Sequence, residues 1–347
     1  MTAIDNQKPI IGVTMGDPAG IGPEVIVKAL AEPEIRRRGR FVIYGLNELL
    51  AYAADMAELD VFWWRDQHER IERDYPQSVV VGDYDEINWF SNNIRQSSKL
   101  GGQASMRFIS DAIDDALSGK IDAIVTGPIS KESWKMAGFK YPGHTELLTE
   151  RCRSKCSAMM FVGGPFRVVL ATIHEALFGI RDRFTIGRVF DPISLTHDAL
   201  KKWFAVEKPK IAVAGLNPHA GEAGQFGDEE RRIIEPAILM AQEAGINVEG
   251  PFPADTLFHK ALTNGYFDAI IAMYHDQGLI PVKLLAFDKA VNVTIGLPII
   301  RTSVDHGTAF DIAGRNKANP NSMKEALKLA CDMAETKKKQ KAQQGTN

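Results

Sequence analysis

Cysteine is scarce in this chain: three in 347 residues, at positions 152, 156 and 331. An odd count at those spacings builds neither a disulfide framework nor a zinc knuckle, and it fits a reducing compartment. Long apolar runs are missing too, and none approaches the about 20 residues that a membrane-spanning helix needs. The opening, MTAIDNQKPI, has no basic end followed by an apolar stretch, so no secretory leader is expected. Charge of one sign is also lacking. With 41 basic and 44 acidic residues the net charge is −3, which sets up no field to draw nucleic acid or an anionic membrane. There is no internal repeat. These absences leave a soluble, cytoplasmic globular protein.

What is present is apolar residue, 45% of the chain, in a sequence too long for one ordinary core. Two domains, or one large α/β unit, are expected. Short apolar strands alternate with amphipathic helical stretches. "PIIGVTM" (9–15), "FVIYG" (41–45), "IDAIVTGP" (121–128), "FRVVLATIH" (166–174), "PKIAVAGLNPH" (209–219), "FDAIIAMYH" (267–275) and "AVNVTIG" (290–296) read as strands. A helix is expected from Pro23. Another is expected through "ASMRFISDAIDDALSGK", with Met106, Ile109, Ile113 and Leu117 on one face and Gly119 as its stop. The segment 97–105, "SSKLGGQAS", reads as a flexible surface loop. Pro236 should kink the helical pattern over 228–244 or start it late. The lysine-rich end reads as a frayed, solvated helix. Strands alternating with helices imply a largely parallel, doubly wound sheet.

Three of these strands run into a histidine: His174, His219 and His275. In a parallel sheet the carboxyl ends of the strands share one edge, and ligands bind there. Three neutral imidazoles with an open position suit a divalent first-row metal, zinc first. A single histidine after a strand is more often a hydrogen-bonded loop residue, and both readings stay open on these residues alone. His68, His197 and His259 sit in polar or helical contexts and read as surface or core-edge residues.

Other residues ask for an anion. "YPGHTELL" (141–148) takes a Gly-His-Thr turn into a helix, either to hold an anionic group or as an ordinary N-cap by Thr145. Lys283, Asn292 and Arg301 near strand ends suit phosphate or carboxylate, or serve as surface ion pairs. "GDPAGIGPE" (16–24) follows a strand but does not complete the dinucleotide fingerprint, because Val25 stands where its third glycine belongs. A standard Rossmann cofactor site is therefore not expected.

With "GDPAGIGPE", "YPGHTELL", "GLNPHAGE", "FGDEE", "GPFPADTLF", "MYHDQGLIPVK" and "VNVTIGLPIIRTSVDHGTAFDIAG" in view, the sequence resembles the 4-hydroxythreonine-4-phosphate dehydrogenase family, including its paralogues acting on 4-phosphorylated sugar acids. The resemblance runs to about residue 325. It implies a two-domain α/β fold like that of isocitrate and isopropylmalate dehydrogenases, with mainly parallel sheets and an interdomain active cleft. Residues 1–130 with 304–347 would form the domain contributing to the cofactor cleft. Residues 131–303 would carry the metal, substrate and dimer residues.

By the same resemblance His174, His219 and His275 are the metal ligands, one of them given by the neighbouring subunit of a homodimer. His144, Thr145, Asp255, Lys283, Asn292 and Arg301 bind the substrate, a small phosphorylated hydroxy acid. NAD or NADP lies against His306, Gly307 and Asp311. The metal is zinc first, with magnesium, cobalt, manganese or nickel as the other choices.

The implied reaction oxidises the secondary alcohol of 4-phosphooxy-L-threonine to a 3-oxo acid, which then loses carbon dioxide, a step of pyridoxine biosynthesis. Lys283 would move a proton, and Asp276 would orient a ligand or carry one. The alternative is a 4-phospho-D-threonate or 4-phospho-D-erythronate dehydrogenase, which "IHEALFGIRDRFT" after the first histidine favours. More distant readings are a metal-dependent hydrolase and a phosphosugar-binding regulator.

Overall fold

The computed structural model describes residues 8–70, 75, 77–89 and 95–344. The chain divides into two compact units. Unit 1 runs to Ser154 and resumes over Leu297–Glu335; unit 2 takes Lys155–Gly296 and the chain from Thr336. Each is a mixed α/β body.

Unit 1 carries β1 (Ile10–Thr14), β2 (Arg40–Gly45), β3 (Trp64–Gln67), β4 (Val79–Asp83), β5 (Ala123–Thr126) and β12 (Ile300–Val304). They lie in the order β3-β4-β2-β1-β5-β12, and the pairings among them are parallel. The central strands are apolar at nearly every position because helices cover both faces, as parallel sheets require. The helices are α1 (Gly22–Leu30), α2 (Pro33–Arg38), α3 (Asn47–Met56), α4 (Lys99–Leu117), α5 (Lys131–Met136) and α6 (His144–Arg151), with the start of α12 (Asn321–Gln344). α1 begins one residue before Pro23, which takes the early helical place that lacks a hydrogen-bonded N–H.

Unit 2 has the order β11-β6-β7-β10-β8-β9, built from β6 (Ala158–Gly163), β7 (Phe166–Leu170), β8 (Ile211–Ala214), β9 (Val248–Phe252), β10 (Ala269–Ala272) and β11 (Val291–Ile295). β6 is antiparallel to both β7 and β11, while β7, β10, β8 and β9 run parallel. Around them stand α7 (Ile180–Arg183), α8 (Ile186–Trp203), α9 (Glu235–Glu243), α10 (Ala254–Asn264) and α11 (His275–Ala286). The core between the sheet and α11 includes Val168, Leu170, Ile270, Leu279 and Val282. Pro236 starts α9 late, after a π turn over Glu230–Ile234. Among the described residues no helix is long and apolar enough to cross a membrane.

Several local expectations are corrected. The segment 97–105 is no loop: Ser98 caps α4, its hydroxyl accepting from Gly101 N at 3.0 Å. The glycines there serve close packing, since a Cβ on Gly102 would lie 2.0 Å from the Ser133 carbonyl oxygen. Leu117, placed on the buried face of that helix, is 45% exposed. Thr145 is not a cap; Gly143 holds that position and Thr145 lies inside α6. The three histidine-bearing strands also stop three to five residues short of their histidines.

Gly102→Ala is expected to lower the melting temperature by several degrees, from about 1–3 kcal/mol of overpacking. Gly187→Ala, in α8 with nothing within 4 Å of the added methyl, is expected to hold or raise it. Thermal unfolding of the two variants checks both signs, and equal effects would contradict the packing argument.

Candidate active site

Pairing between β7 and β10 outlasts the strands. After Leu170 meets Ala272, Ala171 N donates to Ala272 O at 2.8 Å and Thr172 N to Met273 O at 3.2 Å. The buried Thr172 hydroxyl adds a bond to Met273 O at 2.7 Å. His174 and His275 each follow two residues later, so the shared register delivers both rings to one place. Their centroids are 5.8 Å apart, at 41°. Two imidazoles on a tetrahedral zinc, with bonds of about 2.1 Å, put their centroids roughly 5 Å apart. The pair thus fits one ion with a small side-chain adjustment. Asp276 Oδ1 sits 2.7 Å from His275 Nδ1, which leaves Nε2 as the ring's other nitrogen, and His275 lines an open pocket with His174 and Tyr274. Beside His174, Glu175 pairs with Arg188 at 3.0 Å.

His219 is carried differently. After β8 the chain makes a left-handed turn, with φ of 51° at His219, 53° at Ala220, 40° at Glu222 and 56° at Ala223. Four such residues cost roughly 4–8 kcal/mol. The offset comes from Glu230, 3% exposed, whose Oε1 accepts from Leu216 N and Asn217 N at 2.8 and 2.7 Å. Its Oε2 accepts from Asn217 Nδ2 at 3.0 Å. Three bonds to a charged acceptor contribute about 5–9 kcal/mol, the same size as the strain. Gly221 has no alternative, since its φ is 81° and a Cβ would meet Glu230 Oε2 at 2.7 Å. Among the described residues of one chain, no three His, Cys, Asp or Glu side chains group closely enough to hold an ion.

The other candidate residues of unit 2 are spread along its elements. Lys283 lies on α11, with Nζ 5.9 Å from the Phe287 ring centre. Asn292 is the second residue of β11, and its buried Oδ1 accepts from nothing among the described residues. Asp255 is exposed in the first turn of α10, a helix that packs on the His219 turn.

In unit 1 the structure brings His144 and Arg301 together. Arg301 is 4% exposed, and its Nε and Nη2 donate to Thr126 Oγ1 at 3.2 and 2.7 Å. Burial brings its guanidinium pKa down to about 10. Burial first, and then the Arg301 charge, hold His144 well below the usual imidazole range. Its buried Nε2 has no partner among the described residues. Thr145 follows it in α6. The loop after β12 lies on the "GDPAGIG" turn, with Ile21 N donating to Thr308 O at 3.0 Å. There His306 Nε2 is buried without a partner among the described residues, Gly307 is exposed with open space at its Cα, and Asp311 is exposed. An unsatisfied ring nitrogen beside a bare backbone fits a polar cofactor edge.

Glu230 and Gln277 lie within "FGDEE" and "MYHDQG", yet neither stands out in the sequence as a functional residue. For Gln277 a signal existed, because the third helical position is where a glutamine reaches back to bond the chain before the helix. For Glu230 none did, because its three donors lie 13 and 14 residues away across an unforeseen turn.

Residues 37–330 match the family described as pyridoxal phosphate biosynthetic protein PdxA. A 4-hydroxythreonine-4-phosphate dehydrogenase of Geobacter metallireducens is 45% identical, covering 96% of this chain and 97% of its own. A protein of Oceanobacillus iheyensis, provisionally named D-threonate 4-phosphate dehydrogenase, is 42% identical, with 96% and 100% covered. The crystal structure of the Klebsiella pneumoniae 4-hydroxythreonine-4-phosphate dehydrogenase superposes with a TM-score of 0.84 at 38% identity, over 94% of this chain and all of that one.

His144 gives a pH prediction. Its folded pKa is depressed, so below about 6.5 the unfolded chain takes up a proton that the folded chain refuses. Stability from this group is present above that pH and is lost as pH falls, by at most about 1.4 kcal/mol per unit. Melting curves between pH 7.5 and 5 should show a steeper acid-side loss for the wild type than for His144→Asn. Parallel curves would contradict the assignment.

Proposed function

The chain belongs to the PdxA family of pyridoxal phosphate biosynthetic proteins, and on that premise we propose that it oxidises and decarboxylates 4-phosphooxy-L-threonine with NAD or NADP and a divalent metal, zinc first. The chain is an oxidoreductase; the substrate, cofactor and ion are our reading. The observation that carries it is the pair of imidazoles, His174 and His275, brought to 5.8 Å at the carboxyl ends of neighbouring parallel strands.

When bound, the oxidised nicotinamide supplies the hydride acceptor, and the ion supplies the positive charge needed by the deprotonated alcohol and by the enolate left after decarboxylation. The chain's own residues do the rest. His174, His219 and His275 offer the donor nitrogens, and Asp276 fixes the ring of His275. In unit 1, Arg301 offers a fixed positive charge to phosphate or carboxylate. His144, kept neutral, offers a ring nitrogen that stays unprotonated at physiological pH, and Thr145 adds a hydroxyl. In unit 2, the unsatisfied Asn292 Oδ1 accepts from the substrate, Asp255 orients it, and Lys283 moves the proton. His306, Gly307 and Asp311 hold the nicotinamide cofactor.

The surface of α11 and the turn after His174 support the homodimer of this reading. Leu177, Phe178, Ile280, Leu284 and Phe287 are 61, 93, 64, 81 and 76% exposed. Ile280, Leu284 and Phe287 share one helical face, which runs back to Asp276 in the first turn of α11. A second copy seated there would complete the donor set with its own imidazole. The scarcity of cysteine supports a cytoplasmic setting. The 4-phospho-D-threonate or erythronate reading rests on "IHEALFGIRDRFT" and on the Oceanobacillus relative's name.

The test is absorbance of reduced cofactor with zinc-loaded protein and each substrate. The amino acid should turn over; turnover of the sugar acid alone would move the chain to the other branch, and no reduced cofactor with either would sink the proposal. Leu284→Glu should sediment as a monomer and lose turnover.

A further inference from the structure

We infer that Gln277 is a positioning residue that ties down the segment leading into the His219 turn and the start of the helix that opens with His275, and that metal affinity depends on it. The inference rests on the metal reading above. Gln277 stands at the third position of α11. Its Oε1 accepts from Met273 N at 2.7 Å. A glutamine there ordinarily does no more than cap its own helix. Here Nε2 also donates to Gly215 O at 2.7 Å, 62 residues away, at the residue that follows β8 and leads into the His219 turn.

Met273 is held on its other side as well, since its carbonyl accepts both the N–H and the hydroxyl of Thr172. The lead-in segments of all three histidines therefore meet on the Met273 peptide and the Gln277 carboxamide. Only a carboxamide fills this role, with an acceptor at one end and a donor at the other. A carboxylate of the same shape keeps the bond to Met273 N and turns an oxygen on the Gly215 carbonyl. A methionine keeps neither bond.

The test compares Gln277→Glu and Gln277→Met with Gln242→Glu. Gln242 Nε2 donates to Val248 O at 2.9 Å and ties α9 to β9 through an equivalent bond remote from the histidine segments. Zinc affinity of the full-length protein is measured by chelator competition, with hydrogen exchange over 216–224 and melting temperature alongside. Both Gln277 variants should weaken zinc about 10–100-fold, the usual cost of losing an outer-shell partner, and speed exchange in that segment. Excess zinc should restore occupancy. Gln242→Glu should lose comparable stability yet bind zinc as the wild type does.

Wild-type affinity in a folded Gln277 variant overturns the inference and leaves the metal reading standing. A wild type that binds no zinc overturns both. Failure of both Gln277 variants to fold, while Gln242→Glu folds, also overturns it, because the side chain would then serve the whole unit.

Discussion

The backbone alignment that continues from β7 and β10 past their last strand residues is the constraint on which the site depends. Two extra hydrogen bonds and one buried threonine hydroxyl keep the chains in step through Thr172 and Met273. With the chains locked there, equal spacing to His174 and His275 delivers both imidazoles to the same edge. Were the alignment to end with the strands, each histidine would sit on a free loop and pay the entropy of ordering separately. The parallel arrangement supplies the edge, and the threonine supplies the precision.

The third histidine is held by electrostatics instead of strand register. A run of left-handed residues is unfavourable for anything but glycine, and this one contains four non-glycine residues. A buried carboxylate with three N–H donors offsets a cost of that size, and it grips the two residues just before the turn. Strain of this kind persists only where the surroundings over-determine it, and such places cluster at ligand sites. In unit 1 the buried Arg301 and the neutral His144 form a second arrangement of the same character. There a buried charge and a ring nitrogen with no partner among the described residues are kept from water.

Much of this was legible in the sequence. Apolar runs such as "AIIAM" mark strands buried on both faces, and their alternation with helices gave the parallel class. The seven motifs gave the family, which the match over 37–330 bears out. The illegible parts have common physical causes. Strand ends were read too long because the apolar run continues into the paired segment beyond the strand. The glycines of "SSKLGGQAS" look like a loop in sequence, but they are helix residues made small by the Ser133 carbonyl. β6 was missed although it turns part of the sheet antiparallel. The bonds of Glu230, and the bond of Gln277 to Gly215, reach residues 13 to 62 positions away, which no local pattern encodes.

The central claim is that histidine nitrogens hold a divalent ion where the β7 and β10 chains end together. X-ray absorption at the zinc edge of the loaded protein tests it most directly. The account predicts a first shell containing three imidazole nitrogens at about 2.0–2.1 Å, with a ring-scattering pattern that His275→Ala reduces. A shell of oxygen or sulfur alone, or one that His275→Ala leaves unchanged, would contradict it.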